Sequence, residues 1–204
     1  MPSKNTVRVN VADSYYHVYA RGASQADIFR ENSDKEYFLY LLSRHLSLKP
    51  VTNKQDYTYP HLRGALELLC YCLMDNHFHM LLYQKEQQAL SAMMKSVMVA
   101  YSAYFNRKYR RSGPLFENRF KASVINKDPY LLHVSRYIHL NPRSWKLYPY
   151  SSLIHISKSS EPEWLQTEKI LEQHASRQAY VAFVTDYEEH KQMLDELKHE
   201  LADL

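Results

Sequence analysis

The residues best suited to chemistry lie in His77-Phe78-His79. On a strand, successive side chains alternate faces, so the two imidazoles project from one side about 7 Å apart while Phe78 turns the other way. Two imidazoles held like this can bind one divalent ion. Further ligands and open positions must then come from elsewhere, an arrangement that suits catalysis better than a closed structural site. In the competing reading one histidine is buried and hydrogen-bonded and the other faces solvent. A second group follows in the segment 129–140 and just beyond it. Tyr130, Tyr137 and Asn141 are spaced by seven and four residues, which places them near one stripe of a helix. A tyrosine beside a metal-bound phosphate is a nucleophile, because the ion neutralises charge as the phenolate attacks. Asn141 can offer a carbonyl oxygen to the same ion. Equally, Tyr137 can pack beneath a sheet and Asn141 can cap the helix ahead of Pro142.

Positioning these groups requires a sheet and at least one helix. Tyr15 to Ala20 reads as a strand ended by Arg21-Gly22. Ser33 and Glu36 have capping-box spacing, and Tyr37, Phe38, Leu41, Leu42 and His45 behind them recur at helical spacing. Lys49-Pro50 stops that helix, and residues 51–63 are polar and loop-like. Apolar runs 65–74 and 77–83 flank Asp75-Asn76, which predicts an antiparallel hairpin of two central strands. Residues 88–109 carry an apolar helical face closed by Arg107-Lys108-Tyr109-Arg110-Arg111, and Ser112-Gly113-Pro114 breaks the chain. A strand over 119–126 and a helix from Asp128-Pro129 to before Pro142 complete the order β-α-β-β-α-β-α. The expected class is α+β: a ferredoxin-like antiparallel sheet with helices packed on one face, plus a C-terminal helical appendage. Residues 1–147, including a polar arm over 1–13, are expected to form the catalytic domain. Residues 148–204 are expected to form an extension with acidic helical stretches at 163–173 and 187–203.

Composition narrows the class. The 204 residues are 45% hydrophobic and 24% charged, too apolar for disorder and long enough to bury a core. No apolar run reaches the length of a membrane span and the first residues lack a signal-peptide pattern, so a cytoplasmic protein without membrane contact is expected. Cys70 and Cys72 read as reduced core thiols. The net charge of +4 conceals an asymmetry, because residues 157–204 carry −6 and residues 1–156 carry +10. A basic body suits a polyanionic partner, although a soluble protein with one solvated acidic helix has the same profile. The eighteen tyrosines permit base stacking without requiring it.

Five blocks, in order, resemble the IS200-like single-tyrosine transposases, and more closely their REP-associated branch. They are Tyr16-His17-Val18-Tyr19-Ala20-Arg21-Gly22, then Tyr71-Cys72-Leu73-Met74 running into Asp75-Asn76-His77-Phe78-His79, then Leu115-Phe116-Glu117-Asn118-Arg119-Phe120-Lys121, then Tyr130 through Arg136-Tyr137-Ile138-His139-Leu140-Asn141-Pro142, and finally Tyr148-Pro149-Tyr150-Ser151-Ser152. Together they span residues 15–152. The resemblance implies a Mg2+ or Mn2+ ion held by His77 and His79, and single-stranded or hairpin DNA as partner. It also implies a tyrosine that cuts the strand as a 5′-phosphotyrosine, with the freed 3′-hydroxyl able to rejoin DNA. Tyr137 followed by Asn141 fits the family spacing of nucleophile and polar ligand, though Asn stands where relatives often carry Gln. Tyr130 is the second choice, since Val134 stands four residues after it.

DNA contacts are expected from Arg107, Lys108, Arg110, Arg111, Arg119 and Lys121 through phosphate neutralisation. Arg136 is expected to orient the scissile phosphate, Tyr104 and Tyr109 are candidates for base stacking or core packing, and Lys4 and Arg8 are candidates for a hairpin foot. Relatives in this family work as dimers in some cases, so a homodimer is one expectation. Two other functions fit the same residues: a DNA-binding module that has lost catalysis, and a metal-dependent phosphodiesterase that uses activated water.

Overall fold

A computed structural model describes residues 10–125 and 128–186. Lys4, Arg8 and the acidic stretch expected over 187–203 lie outside the described residues. Strand β1 (Ser14–Arg21) leads to helix α1 (Asn32–Leu46), the hairpin β2 (Leu66–Met74) and β3 (His77–Gln84), helix α2 (Ala89–Lys108), strand β4 (Lys121–Ile125) and helix α3 (Asp128–Leu140). Short helices α4 (Leu153–Lys158), α5 (Glu168–Leu171) and α6 (Arg177–Thr185) follow. All pairings are antiparallel, in the spatial order β2-β3-β1-β4. This is the ferredoxin-like arrangement expected from the element order.

Alternation along the strands divides the molecule into two apolar layers. Tyr16, Val18 and Ala20 of β1 and Phe78, Met80 and Leu82 of β3 face α1 and α2, where Phe38 packs on Phe78 at 5.0 Å and on Tyr101 at 5.1 Å between ring centroids. Leu69, Cys70, Cys72 and Leu81 face the other way and pack on Leu131, Val134 and Ile138 of α3, with Leu153, Ile156, Tyr180 and Val184 beyond. Helices were expected on one face only. Instead α1 and α2 cover one side and α3 with the C-terminal helices covers the other, which is why β2 reads as apolar at nearly every position. A bulge between Leu68 and Cys70 shifts the alternation within that strand.

The expectation that both hairpin strands are central also needs correction, because β2 is the edge of the sheet. Its outer side is nevertheless covered: Leu73 donates its N–H to the Tyr150 carbonyl, Ser152 N–H goes to the Tyr71 carbonyl, and Gln166 N–H goes to the Leu68 carbonyl. Residues 150–166 thus satisfy an edge that would otherwise be open. The acidic stretch expected to be helical over 163–173 contains only the single turn of α5.

The α1 cap lies two residues earlier than the Ser33–Glu36 spacing suggests. Glu31 is the cap residue, and the buried Asp34 carboxylate accepts the backbone N–H groups of Arg30 and Glu31 at 2.9 and 3.1 Å. Asp34 also takes Lys108 Nζ at 2.7 Å and the hydroxyls of Tyr104 and Tyr109 at 3.1 and 2.7 Å. Those donors hold its carboxyl below the usual range even though burial alone would raise it. One glycine bears directly on the site. A Cβ on Gly22 would meet the Ala26 carbonyl oxygen at 2.0 Å, and Gly22 donates its N–H to the carbonyl of Asn76, next to His77. The end of β1 thereby anchors the hairpin turn.

Candidate active site

His77 and His79 occupy the first and third positions of β3 and project from the face covered by α3, with Phe78 in the opposite layer. Their ring centroids are 5.1 Å apart. The β1–β3 register sets Arg21 opposite His77 and Tyr19 opposite His79, with His17 one step diagonal on the same face. Helix α3 crosses above this row. Pro129 is compatible with its first turn, and Pro142 follows its end. Tyr137 packs edge-on against His79 at 5.3 Å and against His17 at 6.1 Å. Asn141, one turn further, brings Oδ1 to 3.0 Å from His77 Nε2. The structure therefore brings together the four residues expected at the centre: His77, His79, Tyr137 and Asn141. Tyr130 lies two helical turns before Tyr137, about 10 Å along the axis.

Hydrogen bonding sets two acceptors against each other. His77 Nδ1 is 2.6 Å from Asn76 Oδ1, so one imidazole faces amide oxygens through both nitrogens. Neutral His77 has a single N–H to share. With the proton on Nδ1, Nε2 and Asn141 Oδ1 are two acceptors in contact, which repel unless a cation lies between them. Two cis ligands of an octahedral ion at 2.0–2.1 Å are about 3 Å apart, which matches the separation observed. His79 Nδ1 is engaged by His17 Nε2 at 2.9 Å, and its Nε2 makes no hydrogen bond among the described residues. The donor set His77 Nε2, His79 Nε2 and Asn141 Oδ1 fits a divalent ion of borderline or hard character. No group of three or more His, Cys, Asp or Glu side chains able to hold a metal exists among the described residues, so the amide is needed as the third ligand.

Electrostatics favour neutral imidazoles. Burial holds His79 well below its ordinary range, assisted by the neighbouring His17, His77 and Arg21. Burial also lowers His77, opposed by its bond to Asn141. Metal ligation requires this unprotonated form. Tyr137 is raised by burial and lowered by Arg21 and Asn141, with burial prevailing, so the phenol stays protonated at neutral pH.

Other expected residues fall elsewhere. Arg136, expected on the scissile phosphate, is 1% exposed and its guanidinium lies 3.6 Å over the Phe183 ring of α6. One residue is a 100° turn of the helix, enough to send adjacent side chains to different partners. Lys108, expected on DNA, is paired with Glu31 and Asp34. Tyr104 and Tyr109 donate to Asp34, which commits them to packing rather than stacking on bases. Arg111 donates to the Pro114 carbonyl at 3.3 Å. Arg107 and Arg110 are exposed at the end of α2, and Arg119 is exposed ahead of β4. Lys121 approaches the site, its Nζ 5.8 Å from the Tyr19 ring.

Two residues at the centre were not among the expected site residues, His17 and Arg21. Exposed Arg21 is the cation whose charge reaches His77, His79 and Tyr137. The available signal was the period of two in His17, Tyr19 and Arg21, which puts all three on one strand face.

Comparison with known proteins bears on the fold and on the segment that holds the site. Residues 61–141, which contain β2, β3, α2, β4, α3 and Asn141, match the family model described as "Transposase IS200 like". Among solved structures, the chain is similar to "Structure of the REP associates tyrosine transposase bound to a REP hairpin", with a TM-score of 0.53 and 13% identity over 80% of this chain and 91% of that one. No curated protein sequence matches. The matched segment holds the histidine pair and the tyrosine-bearing helix, so this part of the chain is similar to the IS200-like transposases, and the fold is that of the similar structure.

Proposed function

We propose that this protein cleaves and rejoins single-stranded or hairpin DNA by transesterification at Tyr137, with His77, His79 and Asn141 as ligands of a Mg2+ or Mn2+ ion. The observation that carries this reading is the meeting of His77 Nε2 and Asn141 Oδ1 at 3.0 Å beside a tyrosine packed on His79. IS200-like transposases are DNA enzymes that typically use a divalent metal, and the similar structure holds a REP hairpin.

Tyr137 Oη attacks the scissile phosphorus. A P–O bond to tyrosine forms, the P–O3′ bond breaks, the phenolic proton passes to solvent, and the 3′-oxygen leaves to become a hydroxyl. When bound, the divalent ion supplies Lewis-acid polarisation of the phosphoryl oxygen. Arg21 offers positive charge to the same phosphate and favours the phenolate. The half-buried setting of Tyr137 limits competition from water, which preserves the phosphotyrosine until a 3′-hydroxyl attacks it in the reverse sense. Lys121, Arg119, Arg107 and Arg110 supply phosphate contacts, whose signature is salt-dependent binding.

The test is incubation of hairpin DNA bearing a single-stranded foot, labelled at either end, with Mn2+ and protein, followed by a denaturing protein gel. Wild type gives a covalent band carrying the fragment 3′ of the cut, and Tyr137→Phe gives none. A band that survives in Tyr137→Phe moves the nucleophile to Tyr130. Cleavage without any adduct indicates water as nucleophile, and binding without cleavage indicates a module that only recognises DNA.

A further inference from the structure

His17 is 1% exposed and lies at the centre of the sheet, between Leu81 of β3 and Ser123 of β4. Its ring stacks at 5.0 Å on His79 with an interplanar angle of 13°, and its Nε2 meets His79 Nδ1 at 2.9 Å. Its other nitrogen, Nδ1, is buried without a partner, and so is the hydroxyl oxygen of Ser123 directly across the β1–β4 ladder. Directly opposed side chains have Cβ atoms about 5 Å apart, close enough for one water to serve both groups.

We propose that His17 is a positioning residue for the metal site: its Nε2 accepts the Nδ1–H of His79, fixing the tautomer in which His79 Nε2 presents its lone pair, and its own proton sits on Nδ1. This inference rests on the metal-dependent reading above. A neutral imidazole carries one proton, and the nitrogen that bears it is set by the hydrogen bond the ring makes. With the proton on Nδ1, Nε2 is free to ligate. If His17 were the donor instead, His79 would carry its proton on Nε2 and could not ligate through it. Partners of this kind typically change metal affinity 10–100-fold when removed. His77 is oriented in the same way by the adjacent Asn76 oxygen, but His79 has no polar neighbour in sequence and depends on a residue 62 positions away.

The test is Mn2+ binding without DNA, read from the free-ion electron paramagnetic resonance signal, for wild type, His17→Phe and His17→Gln, with circular dichroism melts alongside. His17→Phe keeps a planar ring but accepts no proton, and its affinity is expected to fall about 10-fold or more. Gln restores an acceptor near the Nε2 position and is expected to bind within about 3-fold of wild type. Equal affinity in His17→Phe and wild type overturns the positioning role and leaves the metal reading standing. No Mn2+ binding by wild type overturns both. A wild-type measurement covers the case in which His17→Phe does not fold: in Mg2+, the nitrogen–proton couplings of the His79 ring should place its proton on Nδ1. A proton on Nε2 overturns the proposal.

Discussion

His139 gives the most quantitative test of how α3 is held over the sheet. It is fully buried on the side of the helix away from solvent. Its Nε2 lies 2.8 Å from Ser152 Oγ and its Nδ1 lies 2.8 Å from the Tyr180 hydroxyl, which donates to Ser135 Oγ. Each ring nitrogen thus faces a hydroxyl oxygen, so one can donate while the other accepts. That is a fully satisfied neutral imidazole. Burial pushes its pKa from 6.5 down to about 3. The folded protein therefore refuses a proton that the unfolded chain accepts near pH 6.5. Stability is fully present above that value and is lost as pH falls through the window from 6.5 to about 3. The slope approaches about 1.4 kcal/mol per pH unit, so the loss between pH 7 and pH 4.5 is about 2.5 kcal/mol from this residue. The measurement is urea unfolding of wild type and His139→Gln at both pH values, followed by fluorescence of Trp145 and Trp164. Carboxylates and the other buried histidines titrate alike in both proteins and cancel in the difference. The destabilisation caused by His139→Gln should be about 2.5 kcal/mol smaller at pH 4.5 than at pH 7. Destabilisation that is the same at both values, to within about 0.5 kcal/mol, would refute the reasoning.

Four further substitutions test the site and its supports. Arg21→Ala should cut the rate of adduct formation at least about 10-fold while leaving the melting temperature nearly unchanged, because its charge acts in the transition state from an exposed position. Arg136→Ala should do the reverse, lowering stability through lost packing on Phe183; equal effects on rate from both variants would count against the assignment. Asn141→Ala should weaken Mn2+ binding without shifting the circular dichroism spectrum, and an unchanged titration curve would remove Asn141 from the donor set. Asp34→Asn should destabilise by about 1.5–3 kcal/mol at pH 7, since the buried carboxylate accepts from Lys108 and from the backbone N–H groups of Arg30 and Glu31. The deficit should shrink as pH drops through the carboxylate range, where wild-type Asp34 loses the same charge. A pH-independent deficit in urea unfolding would contradict that account.

Local patterns place the candidate site residues on their elements, and sequence alone determines them. A period of two puts His77 and His79 on one face of a strand and Phe78 in the core whatever the rest of the chain does. A spacing of four similarly places Tyr137 and Asn141 on one stripe of α3. The alternation of elements is enough to fix the class, since β-α-β-β-α-β has few ways to close an antiparallel sheet. What only the tertiary structure decided is which distant groups meet. The strand order sets β1 beside β3 and so gives His79 the partner His17 and His77 the neighbour Arg21. Asp34 binds Lys108 from 74 residues away, which pairs internally a lysine that looks identical in sequence to its basic neighbours. Arg136 and Tyr137 differ by one position, yet one lies against Phe183 of α6 and the other over His79. Local propensity places a side chain on its own element, but desolvation and charge pairing depend on what the fold packs against it.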